Sequence, residues 1–193
     1  MTDAAAPYFE YFGAAAGQPG EGWYSYEAGD WHVIVLNSVC LTGPAFCTLG
    51  EQQMAWLRAD VAATSAACVL AYWHTPRYSS GSEFGDSPAV QPFWDVLGAE
   101  GADVVLNGDD HHYERFAPLD AAGERATNGM RQFIVGTGGA GLRALGPINP
   151  RSDFQIVDVH GVLRLTLKPT DYQWAFVAEP DGRVLDEGTA ACA

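Results

Sequence analysis

The stretch Asn107-Gly108-Asp109-Asp110-His111-His112-Tyr113-Glu114-Arg115 decides how this chain is read. It follows Val104-Val105-Leu106, a short aliphatic and β-branched run that predicts a buried strand. Glycine lets the backbone turn there, and carboxylates and imidazoles crowd the strand's C-terminal end. In open α/β sheets ligands bind at that end. Carboxylate and imidazole are also groups that divalent metals take.

A second strand end of the same kind lies upstream. Val69-Leu70-Ala71-Tyr72-Trp73 is apolar and runs into His74-Thr75-Pro76-Arg77. A lone histidine at a strand end is more often structural than a ligand. Two such ends, one carrying a dense Asp/His cluster, favour a shared metal site.

The rest of the chain predicts an α/β fold in one domain over residues 1–193. Residues 1–22 read as an irregular surface arm pinned by aromatic rings. Strands are expected at 23–27, 31–36, 68–73, 103–106 and 131–135. His32, inside the second of these, reads as a packed or surface side chain. Helical spacing of Met54, Leu57 and Val61, widened by Trp56, predicts a helix over 51–63. A shorter helix is expected over 92–100, with Phe93, Val96 and Leu97 on its apolar face. Residues 75–88 form a long Ser/Gly/Pro loop of the kind that carries function. The tail alternates cleanly at 161–167 and 172–177, and a turn at 180–183 feeds a last strand, so a C-terminal antiparallel sheet is predicted.

Gly136-Thr137-Gly138-Gly139-Ala140-Gly141 formally fits G-x-G-x-x-G. A dinucleotide site is rejected, because Gly146-Pro147 interrupts any following helix. No strand with an acidic end lies about 20 residues on, as that fingerprint requires. A tight glycine-permitted loop is the plainer reading.

Composition narrows the function classes. Of 193 residues, 48% are hydrophobic and 18% charged, so the chain is globular rather than disordered. Its net charge of −14, with a pI near 4.4, argues against nucleic acid and anionic membrane as partners. A phosphorylated substrate would need local positive charge, which bound metal supplies. No apolar run approaches the roughly 20 residues of a membrane span. The N-terminus has no signal-peptide pattern. Cys40, Cys47, Cys68 and Cys192 form no Cys-x-x-Cys pair. Disulfides and free thiols are equally compatible with their placement.

Taken together, Trp73-His74-Thr75-Pro76-Arg77 with Ser79-Ser80-Gly81, and Asn107 through Phe116, resemble the last two motifs of the calcineurin-like metallophosphoesterases. The branch they are most similar to is the one related to purple acid phosphatases. Residues 31–38, Gly136-Thr137-Gly138-Gly139 and the strand tail also resemble that branch, so the likeness spans nearly the whole chain.

The resemblance implies part of a four-layer α/β/β/α sandwich and a dinuclear site of zinc, manganese or iron. It also implies hydrolysis of phosphate esters. In the family's Gly-His-x-His motif the second histidine matches His111, a ligand of the first metal. The first histidine falls on Asp109, which with His74 would bind the second metal. Tyr113, Glu114 and Arg115 are expected to brace the ligand loop, Arg77 or Arg115 to meet phosphate or form a surface ion pair, and His112 to point away. His160 has no visible partner. The family's earlier motifs, Asp-x-His, Gly-Asp and Gly-Asn-His, are absent, so the chain is expected to be the C-terminal part of the domain. Open sheet edges should then favour self-association or an N-terminal partner half. The family's usual export implies a secreted or periplasmic protein with Cys40, Cys47 and Cys68 as disulfide candidates. The competing readings are a non-catalytic scaffold and a simple metal-binding domain.

Overall fold

In the computed structural model, residues 5–39 and 50–193 are described. Two sheets lie face to face with helices outside the larger one. The larger has seven strands in the order β1-β2-β3-β4-β6-β5-β7. These are β1 (Tyr24–Ala28), β2 (Trp31–Val35), β3 (Cys68–Tyr72), β4 (Val104–Asn107), β5 (Tyr113–Leu119), β6 (Met130–Val135) and β7 (Ser152–Ile156). Strands β2, β3, β4 and β6 run parallel, and antiparallel strands flank them on both sides. The smaller sheet is antiparallel, ordered β10-β9-β8, from β8 (Gly161–Leu167), β9 (Asp171–Ala178) and β10 (Val184–Ala191).

Strand alternation assigns each face. Ile34, Val69, Ala71, Val105 and Ile134 point to one side. There they meet Met54, Leu57 and Val61 of helix α2 (Gly50–Ala63) and Phe93, Trp94 and Leu97 of helix α3 (Gln91–Ala99). Trp31, Val33, Leu70, Val104, Tyr113 and Phe133 point to the other side, against Tyr172, Trp174 and Phe176 of β9. The result is the α/β/β portion of a four-layer sandwich. Between the sheets the rings interlock: Tyr113 stacks on Phe176 at 4.3 Å, and Trp31 meets Tyr172 edge-on at 5.8 Å.

Asp186 of β10 is the polar tie between the sheets. It accepts the Tyr113 hydroxyl at 2.7 Å, the Arg115 guanidinium at 2.8 and 3.2 Å, and the Trp174 indole N–H at 3.2 Å. Burial and the neighbouring Asp186 carboxylate both push the Tyr113 pKa up. A disulfide joins Cys68, the first residue of β3, to Cys192 beyond β10. Cys192 was not among the cysteines the resemblance pointed to. Cys40 and Cys47 lie outside the described residues. Asp103 completes this corner: its carboxylate accepts the backbone N–H of Val69 at 2.7 Å and of Ala193 at 2.6 Å.

Two expectations need correction. Residues within 1–22 include helix α1 (Ala6–Phe12) and a 3-10 turn (Gly13–Ala16), where no regular element was expected. Strands β5 and β7 were also unforeseen. His32 is a packed side chain held between Glu27 at 2.7 Å and Asp60 at 2.8 Å. Burial alone would lower its pKa, but the two carboxylates outweigh that and raise it. Among the described residues, no helix is long and apolar enough to cross a membrane.

Candidate metal centre

Parallel pairing of β3 with β4 sets Tyr72 beside Leu106. Two residues on, His74 and Gly108 therefore leave the sheet side by side. The Gly108 N–H donates to the His74 carbonyl at 3.0 Å and locks the two strand ends together. Asp109 follows immediately, and its carboxylate lies 3.3 Å from His74 Nε2. Asp109 has a φ of +66°, the left-handed conformation that Asp tolerates better than most residues. That turn carries its side chain back toward His74.

His111 sits two residues further along. Its Nδ1–H donates to the Gly141 carbonyl at 2.8 Å, so Nε2 keeps its lone pair. The ligand atoms of His74, Asp109 and His111 do not all fall within 4.8 Å of one another; among the described residues, the trio that does is Cys68, Asp103 and Cys192, two of which are disulfide-bonded. His74 and Asp109 thus form a close pair, and His111 does not complete a trio with both within that distance. The His74 side chain is 64% exposed and accessible to a ligand. Imidazole nitrogen and carboxylate oxygen suit zinc, manganese or iron.

A buried polar layer supports this loop. Asp110 is 1% exposed and accepts the Ser79 hydroxyl. Glu114, fully buried, accepts the Ser80 N–H at 2.9 Å and hydroxyl at 2.5 Å. His112, also fully buried, meets Glu114 at 3.0 Å. Burial opposes ionisation of Glu114, but His112, Ser152 and Ser80 outweigh it and hold its pKa below the usual value. Residues 79 and 80 of the long loop are thereby fastened to the ligand strand. Two glycines permit the approach: a Cβ on Gly81 would stand 2.3 Å from the Asp110 carboxyl carbon, and one on Gly136 would stand 1.9 Å from the Asp110 carbonyl oxygen.

The three bracing candidates divide. Glu114 faces the loop. Tyr113 and Arg115 alternate to the opposite face and bond Asp186, so they join sheets rather than steady the ligands. Arg77 donates to Gln91 and covers the Tyr78 ring. His160, expected to be unpartnered, donates from Nε2 to the Ala140 carbonyl at 3.0 Å. The residue that sequence reasoning missed is Arg143. Its N–H donates to the His111 carbonyl at 3.0 Å and its Nη1 to the Asp109 carbonyl at 3.3 Å. The scarcity of cations, ten Lys and Arg among 193 residues, was the available signal.

A groove of about 640 Å³ opens beside His74, where Tyr26, Tyr72 and Leu106 of the large sheet face Val162 and Leu163 of β8. Strand β8 is an edge of its sheet, and Val162 is 57% exposed.

No protein-family model matches the chain. Over 98 residues, 48% of this chain and 18% of the relative, it is 29% identical to purple acid phosphatase 15 of Arabidopsis thaliana. Purple acid phosphatase PPD1 from yellow lupin (Lupinus luteus) seeds superposes with a TM-score of 0.77 at 22% identity. That match covers 91% of this chain and 34% of the lupin protein. GAP50, the anchor in the inner membrane complex of Plasmodium, superposes with a TM-score of 0.73 at 18% identity, over 93% of this chain and 61% of that one. PhoD gives 0.61 at 18% identity, over 89% and 41%. The chain spans about a third of the lupin protein's length.

Proposed function

We propose that this chain, related to the calcineurin-like phosphoesterases and sharing the fold of the lupin purple acid phosphatase, is the ligand-bearing C-terminal portion of a metal-dependent phosphoric ester hydrolase. The observation that carries this reading is the meeting of His74 and Asp109 at 3.3 Å, delivered by two neighbouring parallel strand ends. His74 and Asp109 would hold one cation, and His111 through Nε2 a second. Zinc, manganese or iron held by these residues would supply Lewis-acid polarisation of phosphoryl oxygens and a hydroxide nucleophile. Asp109 brings a negative charge where the family has a neutral imidazole, which shifts metal preference toward harder cations.

Three ligands shared between two metals are fewer than catalytic centres use. The remaining ligands are proposed to come from a segment outside these 193 residues, of the same polypeptide or another. The substrate is a small phosphate ester. The Cys68–Cys192 disulfide supports an oxidising, secreted or periplasmic setting.

The second reading is a non-catalytic scaffold. It is favoured by the likeness to GAP50, which is described as an anchor. Metal analysis of the purified protein, followed by an aryl phosphate assay with and without the complementing segment, separates the two. Bound metal with hydrolysis lost in His74→Ala and His111→Ala is the result expected. Metal without hydrolysis in any combination leaves a metal-binding domain, and no metal at any pH defeats the enzyme.

A further inference from the structure

We propose that Arg143 receives the phosphate group of the substrate, and that Glu83 occupies its free edge when no anion is present. This rests on the phosphoesterase reading of the same site. A protein of net charge −14 repels a phosphate ester at long range, so binding requires a positive group at the point of contact. Arg77 and Arg115 are turned to other partners. Arg143 lies against the backbone of both Asp109 and His111.

Its guanidinium is held on one side only. Nη1 donates to the Asp109 carbonyl at 3.3 Å, and the ring of Phe84 lies 4.9 Å from Cζ. Nε meets Glu83 at 2.8 Å, and Nη2 has no protein partner among the described residues. The Nε and Nη2 edge is the fork that binds carboxylate or phosphate through two parallel bonds. Glu83 thus marks the direction from which an anion arrives. The Glu83 side chain is 53% exposed, so this pair contributes little to stability and exchanges readily.

The mounting is firm. Ser82 donates its N–H at 3.2 Å and its hydroxyl at 2.9 Å to the Ala144 carbonyl. Gly81 bridges to Leu145, and the Gly146 N–H donates to the Ser80 carbonyl at 2.8 Å. The base of the loop is fastened by Ser79 to Asp110 and by Ser80 to Glu114. A binding group needs such support to keep its geometry.

The alternative is that Arg143 only laces the two loops together, and Glu83→Gln distinguishes the two. Inorganic phosphate is titrated calorimetrically into the parent protein, Arg143→Gln, Arg143→Lys and Glu83→Gln, each with and without added zinc. Arg143→Gln is expected to weaken phosphate binding about tenfold or more, with Arg143→Lys between it and the parent. Glu83→Gln is expected to tighten it severalfold, and added salt to narrow the differences. If Arg143→Gln fails to fold, Glu83→Gln decides alone: unchanged or weaker phosphate binding overturns the proposal. Phosphate binding absent from every protein also overturns it. Zinc binding with phosphate affinities within twofold across the variants overturns the role of Arg143 and leaves the phosphoesterase reading standing. Arg143-dependent phosphate binding in a protein that takes no zinc does the reverse.

Discussion

His111 donates its Nδ1–H to the carbonyl oxygen of Gly141 at 2.8 Å. A carbonyl only accepts, so the bond chooses the tautomer and leaves Nε2 with the lone pair a metal needs. Two residues on, Arg143 donates to the carbonyl of His111 itself. The glycine-rich segment after β6 therefore orients the histidine through its ring and through its backbone.

Asp109 separates charge from backbone geometry. Asn shares the tolerance of Asp for the left-handed conformation, so Asp109→Asn is expected to change stability by less than about 0.5 kcal/mol. Metal affinity should fall at least tenfold, because a carboxylate oxygen is replaced by a neutral amide. His74→Ala should lose the same metal and His111→Ala the other. Competition titrations with a zinc indicator, alongside melts of the metal-free proteins, measure both quantities. Unchanged affinity in Asp109→Asn would remove that residue from the ligand set.

Glu114 links the ligand loop to acid stability. Its folded pKa is held below its ordinary value of 4.5, chiefly against burial, by His112, Ser152 and Ser80. A depressed carboxylate contributes its full stabilisation above the unfolded pKa and loses it as pH falls through the folded one. The parent should therefore lose stability below about pH 4.5. Glu114→Gln should start about 1–3 kcal/mol less stable at neutral pH and show a shallower acid limb. Denaturant unfolding from pH 7 to pH 3 tests this; parallel limbs would show that Glu114 titrates normally.

Where periodicity was strong, the sequence was sufficient. Met54, Leu57 and Val61 are buried on α2, and the run at Cys68–Tyr72 is a central strand. The meeting of the two strand ends was also readable, because parallel neighbours end at the same level. The strand ends suggested paired histidines, and only the family resemblance pointed to Asp109 as the neighbour of His74. Strand β5 escaped because its first residues looked like loop chemistry and Pro118 sits inside it. Helix α1 escaped because none of its residues is buried, so no apolar face distinguishes it. Arg143 bonds the ligand loop through main-chain carbonyls, which leave no side-chain pattern. The Cys68–Cys192 pair spans 124 residues, beyond any spacing rule.

Asp186 shows how a buried charge ties two sheets. Removing it leaves Arg115 with only its longer contact to Asp153 at 3.5 Å, and leaves the donors of Tyr113 and Trp174 without their acceptor. Asp186→Ala is expected to cost about 3–5 kcal/mol, the range for breaking a buried ion pair from one side. Tyr113→Phe removes only one donor and should cost about 1 kcal/mol. Urea midpoints for the two variants give the comparison. Equal costs would mean that the hydroxyl, not the ion pair, holds the sheets together.

The Cys68–Cys192 disulfide closes a loop of 124 residues and pins the end of the small sheet to the start of β3. Such a crosslink stabilises mainly by restricting the unfolded chain, and typically contributes about 2–4 kcal/mol. Cys192→Ser is therefore expected to lower the melting temperature by about 4–16 °C, at roughly 2–4 °C per kcal/mol for a chain of this size. Most of that loss should come from the unfolded state. Cys68 pairs with Trp31 across β2 and β3, and both cysteines border the inter-sheet core. The ring contacts of Trp31 with Tyr172 and of Phe133 with Trp174 do not run through the sulfurs, so the folded variant should keep the near-ultraviolet circular dichroism of its packed Trp31 and Trp174. A reductant should reproduce the shift in the parent and leave the variant's midpoint unmoved. If the aromatic signal collapsed at temperatures well below the melt, the bond would be holding the two sheets in register and not merely shortening the unfolded chain.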